Sequence, residues 1–249
     1  IPYTPRKHQA YLHKQIDNHR WNVLVCHRRF GKTVCMINHL IRSALLSKLN
    51  NPRFAYIAPT FKQAKSIAWD YMKQFTAKIP HTKFNETELR VDLPNGARIT
   101  LLGSESPDGL RGIYLDGCVI DEYANVNSKL FPEIIRPALS DRKGYCVFIG
   151  TPMGMNNNFY ELYQHAQGAE DWFNYKAKAS DTKIVDNDEL VKAKEVMGEK
   201  KYLQEFECDW IANIEGAVYG DVIAKLDDEK HLTRVPYDPA LPVSTAWDL

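Results

Sequence analysis

The sequence predicts an α/β protein: a mostly parallel sheet flanked by helices, with a small helical appendage. Apolar β-rich runs alternate with helical patterns through most of the chain, which argues for crossover helices between parallel strands. After about Trp172, charged helical patterns replace buried strands. At 249 residues, 44% hydrophobic and 25% charged, the chain has material for one large domain, or one domain and a small appendage.

The first buried strand is Trp21 to Cys26 (WNVLVC), followed by a turn and a helix from about Lys32 to Leu46. A second strand, Arg53 to Ala58, ends at Pro59 and leads into an amphipathic helix, Lys62 to Ala77. Leu89 to Leu93 and Ala97 to Leu102 make a hairpin through Pro94-Asn95-Gly96, a strong turn signal. Strands Gly117 to Ile120 and Tyr145 to Gly150 follow. The later helical pattern breaks at Gly198, and Tyr202, Phe206 and Trp210 recur every four residues as an apolar stripe on one helix face. The expected division is a core over 1–172, a helical subdomain over 173–235, and a proline-containing linker with one strand-like run over 236–249.

Bulk properties exclude little. Lys+Arg 32 against Asp+Glu 31 leaves a net charge of +1, and a basic channel can hide inside a neutral total. The five cysteines (Cys26, Cys35, Cys118, Cys146, Cys208) form no CxxC pair, so buried reduced thiols are expected. The eight histidines show no HxxxH or Cys/His spacing, and no structural zinc is expected. No stretch approaches the ~20 apolar residues of a membrane span. With no signal-peptide pattern at the start either, the expectation is a soluble, intracellular chain with no membrane partner.

Chemistry concentrates at strand ends. Cys26-His27-Arg28-Arg29-Phe30-Gly31-Lys32-Thr33 follows a buried strand and opens a helix, as a P-loop does, with Cys26 in place of the first glycine of GxxxxGK[ST]. The physical requirement survives: Gly31 admits the phosphates, backbone N–H groups and the helix N-terminus bind the anion, Lys32 reaches the β/γ-phosphates, and Thr33 holds Mg²⁺. An ordinary strand-to-helix turn does not explain a lysine in a first helical turn, where cations are disfavoured. For Arg28 and Arg29 two readings stay open: solvated surface charge, or contact with phosphates or a partner acid.

Gly117-Cys118-Val119-Ile120-Asp121-Glu122 is an apolar strand ending in two carboxylates, the form of a Walker B motif. Adjacent acids there repel unless a cation or a reaction needs them. Asp121 would hold the Mg²⁺ shell, and Glu122 would orient and deprotonate an attacking water. Tyr145 to Ile149 ends in Gly150-Thr151-Pro152, where the Thr151 hydroxyl could sense a γ-phosphate; alone, the tripeptide is only a turn signal.

Taken in order, these residues resemble the large terminase subunit of tailed double-stranded DNA viruses. Pro5-Arg6-Lys7-His8-Gln9 is similar to the family's adenine-reading Q motif, with Gln9 the implied base contact and Arg6 beside it. Arg28 matches the arginine that precedes the lysine in the family's deviant P-loop. Ala58-Pro59-Thr60 with Gln63-Ala64 resembles the loop after the second core strand. Leu110-Arg111-Gly112 matches a segment that carries an arginine finger in related motors, although a plain exposed loop arginine is the alternative. Gly150-Thr151-Pro152 with Phe159-Tyr160 is similar to the coupling motif, and Glu205-Phe206-Glu207-Cys208-Asp209-Trp210 to the lid. Trp247-Asp248-Leu249 resembles the first strand of the family's nuclease domain. Asp248 would there be a metal ligand that cannot act alone, so this stretch looks like the motor half.

The resemblance implies a RecA-like (ASCE) P-loop NTPase core with a helical lid, using ATP and Mg²⁺. Its catalytic set would be Glu122, Lys32, Arg111 and Arg28, and its nucleotide set Arg6, Gln9 and the loop from Cys26 to Thr33. The implied work is moving double-stranded viral DNA through a portal protein into a procapsid, as a homo-oligomeric ring with a small terminase subunit, in the host cytoplasm. A helicase-like translocase is the alternative, but it needs a second motor domain, and the stretch after Trp172 is short and helical in pattern. A P-loop kinase would need an acceptor lid that nothing marks. DNA contact would fall mainly on phosphates. The available lysines (Lys62, Lys65, Lys129, Lys200, Lys201) read mostly as solvated faces.

Overall fold

Apolar residues fill both faces of the central strands, so each face must be covered by the segments that cross between them. The computed structural model describes residues 2–211 together with Leu226, Glu229 and His231. Two units divide the chain, Ile1–Asn213 and Ile214–Leu249, and the elements below belong to the first. Helix α1 (Lys7–Asn18) precedes β1 (Trp21–Cys26), α2 (Lys32–Leu46) and β2 (Arg53–Ala58). One helical run follows in three parts: α3 (Phe61–Ala64), a π-helical turn Lys65–Trp69 and α4 (Asp70–Thr76). Thr60 and Gln63 fix its start with a reciprocal capping box. Next come β3 (Lys83–Asn85), β4 (Arg90–Asp92), β5 (Arg98–Gly103) and β6 (Gly117–Ile120). A π-helical turn, Phe131–Ile135, and the short α5 (Arg136–Ala138) lead to β7 (Tyr145–Gly150) and α6 (Asn158–His165). β8 (Trp172–Ala177), α7 (Ala179–Thr182), α8 (Asn187–Met197) and α9 (Glu199–Phe206) complete the set.

The eight strands form one sheet in the order β3-β4-β5-β2-β6-β7-β1-β8. Six are joined by parallel pairings, and only the β3–β4 and β4–β5 pairings are antiparallel, so β4 alone runs against the rest. Strand side chains alternate between two cores. Leu24, Tyr56, Val119 and Val147 pack with α1, α2 and α4, whereas Val23, Ile57, Ile120 and Phe148 pack with Phe131, Ile134 and Phe159. The topology places β7 between β1 and β6, so the loops after β1, β7 and β6 emerge side by side at one sheet edge.

Strand limits expected for β1, β2, β6 and β7 match the structure, as does α2. The hairpin also forms, closed by the Leu93 N–H donating to Ala97 O at 2.8 Å, with Gly96 at φ +82°. Two expectations need correction, and one strand is additional. The core does not stop at Trp172, because Trp172–Ala177 pairs with β1 along its whole length as an edge strand. Its half-exposed side chains interrupt the apolar run by which a buried strand is recognised. β3 was not expected, being three residues long and mostly exposed. The Tyr202–Phe206–Trp210 stripe breaks after Phe206, since α9 ends there and Cys208 turns left-handed at φ +53°. Tyr202 and Phe206 stack on each other, while Trp210 packs against Phe159, Tyr160 and Tyr163 beside α6. The 236–249 linker, with Asp248, lies outside the described residues.

Candidate active site

The loop between β1 and α2 owes its shape to two left-handed residues, Arg29 at φ +69° and Gly31 at φ +88°. At Gly31 a Cβ would come within 3.0 Å of Gln9 Nε2, so glycine meets both a backbone and a space requirement. Phe30 is fully buried and anchors the loop edge-on to His8 and His27. His27 is equally buried: its Nδ1 lies 2.6 Å from Arg28 O and its Nε2 2.7 Å from Thr182 Oγ1. Burial lowers its pKa, which favours the neutral ring. Cys26 is buried beneath the loop, and burial pushes its thiol well above the ordinary range. Its carbonyl accepts a hydrogen bond from Lys32 Nζ at 3.0 Å.

Helix α2 begins with no side-chain cap and no acid in its first turn. Its leading N–H groups are therefore left for an anion, beside the Lys32 ammonium. Arg6 and Gln9 brace this cradle from behind. Gln9 Nε2 donates to Gly31 O at 3.2 Å, its Oε1 accepts from the Arg6 N–H at 2.9 Å, and Arg6 Nη1 donates to Phe30 O at 3.4 Å. Their polar groups thus hold the loop itself, a task the base-contact expectation did not include.

Two strands away, β6 delivers Asp121 and Glu122. Asp121 is 3% exposed, with its N–H donating to Ile57 O, while Glu122 adopts φ +46°. A left-handed non-glycine residue costs on the order of 1–3 kcal/mol, so surrounding structure must hold it in place. The Glu122 N–H donates to Asp121 Oδ1 at 2.9 Å. Burial raises the pKa of both carboxyls, and Asp121 raises Glu122 further, while Lys32 lowers both. A buried Asp121 and a half-buried Glu122 with one nearby ammonium, and the Thr33 hydroxyl across from them, make an oxygen-only donor set suited to a hard divalent cation. Among the described residues no group of three or more His, Cys, Asp or Glu could hold an ion. A cation here would draw its remaining ligands from water and nucleotide phosphates, as Mg²⁺ commonly does.

Tyr56 links these two halves. Its hydroxyl donates to Asp121 Oδ2, with the Thr33 side chain close by. Sequence reading did not single it out, although a tyrosine inside the apolar run RFAYIA needs a hydroxyl partner once buried.

α9 closes a third side. Gln204 Nε2 donates to Pro152 O at 2.5 Å, tying α9 to the Gly150-Thr151-Pro152 segment that leaves β7. The next residue, Glu205, accepts from the Arg28 N–H with its carbonyl, and its carboxylate sits 3.4 Å from Arg28 Nη1 and 3.3 Å from Lys201 Nζ. Thr151 follows β7, the strand between the cradle and the acids. Arg111 lies on the return path from β5 to β6, 3.8 Å from Glu133, with both side chains about half exposed.

These features coincide with known proteins. Residues 25–220 match the family described as terminase large subunit, T4likevirus-type, N-terminal. The chain belongs to the terminase large-subunit family. The large terminase subunit of Thermus phage G20c is 30% identical over 126 residues, covering 43% of this chain and 26% of that protein. The chain therefore matches only a fraction of that relative's length. The ATPase domain of the Thermus phage P74-26 large terminase superposes with a TM-score of 0.71 at 21% identity, covering 84% of this chain and 94% of that one. The large terminase of another thermophilic bacteriophage, solved in complex with ADP, gives a TM-score of 0.71 at 16% identity over 82% of this chain and 53% of its own. The fold is thus the RecA-like P-loop fold of terminase ATPase domains, as the sequence predicted.

Proposed function

We propose that this terminase chain is an ATPase motor that hydrolyses ATP with Mg²⁺ to move double-stranded viral DNA through a portal into a procapsid. The observation that carries the reading is the uncapped start of α2, with Gly31, Lys32 and Thr33, facing Asp121 and Glu122 across β7. Lys32 offsets phosphate charge, and the α2 N–H groups hold the phosphates in line. Glu122, raised above the usual carboxylate range by burial and by Asp121, is suited to take a proton from an attacking water. When bound, Mg²⁺ supplies charge neutralisation on the phosphate oxygens, with Thr33 and Asp121 as its protein partners. Arg28 borders the same space and is the cis cation for the leaving phosphate. Thr151, tied through Pro152 to Gln204, conveys the loss of that phosphate to α9. Gln9 and Arg6 serve the nucleotide by shaping the loop.

The wider assembly belongs to the same proposal: a ring of copies on the portal, a small terminase subunit that selects the DNA, and action in the host cytoplasm. The terminase relative solved with ADP supports the nucleotide assignment. The experiment is ATPase turnover with and without double-stranded DNA and portal-bearing procapsids. Stimulation by both together is expected. Turnover indifferent to procapsids but stimulated by single-stranded DNA would favour a helicase-like translocase instead.

A further inference from the structure

Tyr56 sits at the midpoint of β2, completely buried, with its ring in the core formed by α1, α2 and α4. Every other residue of that strand after Arg53 is apolar, so the hydroxyl is the one polar group the strand sends into this core. A buried hydroxyl without a partner costs ~1–3 kcal/mol, so the position is tolerable because the hydroxyl has a carboxylate to donate to. Tyr56 donates to Asp121 Oδ2, and the Thr33 side chain stands beside the same hydroxyl. The second oxygen of Asp121 accepts from the Glu122 N–H, so both carboxylate oxygens are oriented by this chain's own donors. The bond ties β2 to the residue that ends β6, next to the first turn of α2.

We propose that Tyr56 is a positioning residue for the divalent cation of the ATPase, holding the Asp121 carboxylate in place beside Thr33 before nucleotide arrives. The inference rests on the ATPase reading above. A hydroxyl and a carboxylate that must serve one ion are useful only when their separation is set in advance, and a rigid aromatic ring on a central strand sets it with little freedom to lose. The ring also keeps bulk water from the inner side of Asp121, which helps hold that carboxylate to a single rotamer.

The test is Tyr56→Phe, which removes one oxygen and keeps the ring, read out by nucleotide binding and not by turnover. ADP affinity is measured in EDTA and in Mg²⁺, and Mn²⁺ binding in the presence of ADP is followed by electron paramagnetic resonance. Affinity in EDTA should match the parent chain, which also reports that the phosphate cradle is folded. The gain in affinity on adding Mg²⁺, and the Mn²⁺ affinity, should each fall by about 10–100-fold, the usual effect of removing a group that orients a metal ligand. An unchanged Mg²⁺ gain overturns the proposal. So does equal weakening in EDTA and in Mg²⁺, because that is the signature of packing alone. Failure of the parent chain to bind ADP in either condition would overturn the ATPase reading itself.

Discussion

Arg28 and Glu205 are joined twice: the Arg28 N–H donates to the Glu205 carbonyl at 2.8 Å, and the guanidinium lies 3.4 Å from the Glu205 carboxylate. The backbone bond fixes the P-loop to α9, while the side-chain pair joins an exposed Arg28, 61% open to water, to a buried Glu205. Both cation partners of Glu205, Arg28 and Lys201, keep contact with water, so Glu205→Gln leaves no buried cation unpaired and should move thermal stability little. Its effect should appear in the pH profile. Glu205 helps raise the Glu122 pKa, so removing that charge should shift the acid limb of single-turnover hydrolysis to lower pH. A limb that stays in place would detach Glu205 from the catalytic field.

Arg111 pairs with Glu133 within one chain, at a half-exposed position after the 3-10 turn Pro107–Leu110. Service to a neighbouring copy then requires assembly. Arg111→Ala should bind ATP normally yet hydrolyse it slowly in the assembled motor, since trans arginines contribute ~10³–10⁵ in rate. Mixing it with Lys32→Ala should restore some activity, because one partner keeps the cradle and the other the arginine. Verified mixed rings without recovery would rule out action in trans.

His39 is buried between α2 and α1, stacked on His13 with their Nδ1 atoms 3.0 Å apart, and Asp17 and Arg42 stand close by. Burial lowers His39 to about 3 and His13 to about 4, so both are neutral in the folded chain at mild pH. The unfolded chain takes up these protons first, below about 6.5. Stability should therefore be full above that value and fall as pH drops toward 4. Urea unfolding at pH 7, 6 and 5 checks this, and His39→Leu should flatten the slope. Asp17, lowered below its ordinary value beside Arg42, acts only in more acidic solution.

Legibility followed burial. β1, β2, β6 and β7 were readable to the residue because strands covered on both faces spell continuous apolar runs. β8 was missed because an edge strand such as Trp172-Phe173-Asn174-Tyr175-Lys176-Ala177 mixes exposed and packed side chains. Gly31, Lys32, Thr33, Asp121 and Glu122 were legible because their chemistry sits at strand ends in fixed local patterns. Tyr56 and Gln204 were not, since each works on a partner 65 or 52 residues away and neither carries a local pattern. The Tyr3–His13–His39 chain of polar contacts is likewise a product of helix packing, invisible to spacing rules.

The central claim is that Lys32 builds the cradle and Glu122 does the chemistry. Single-turnover ATP hydrolysis, measured beside nucleotide affinity, separates the two roles. Lys32→Ala should weaken binding and abolish hydrolysis together. Glu122→Gln should bind ATP as the parent chain does while slowing the chemical step by on the order of 10²-fold or more, because the base is lost and the cradle stays. Hydrolysis at the parent rate by Glu122→Gln would contradict the account.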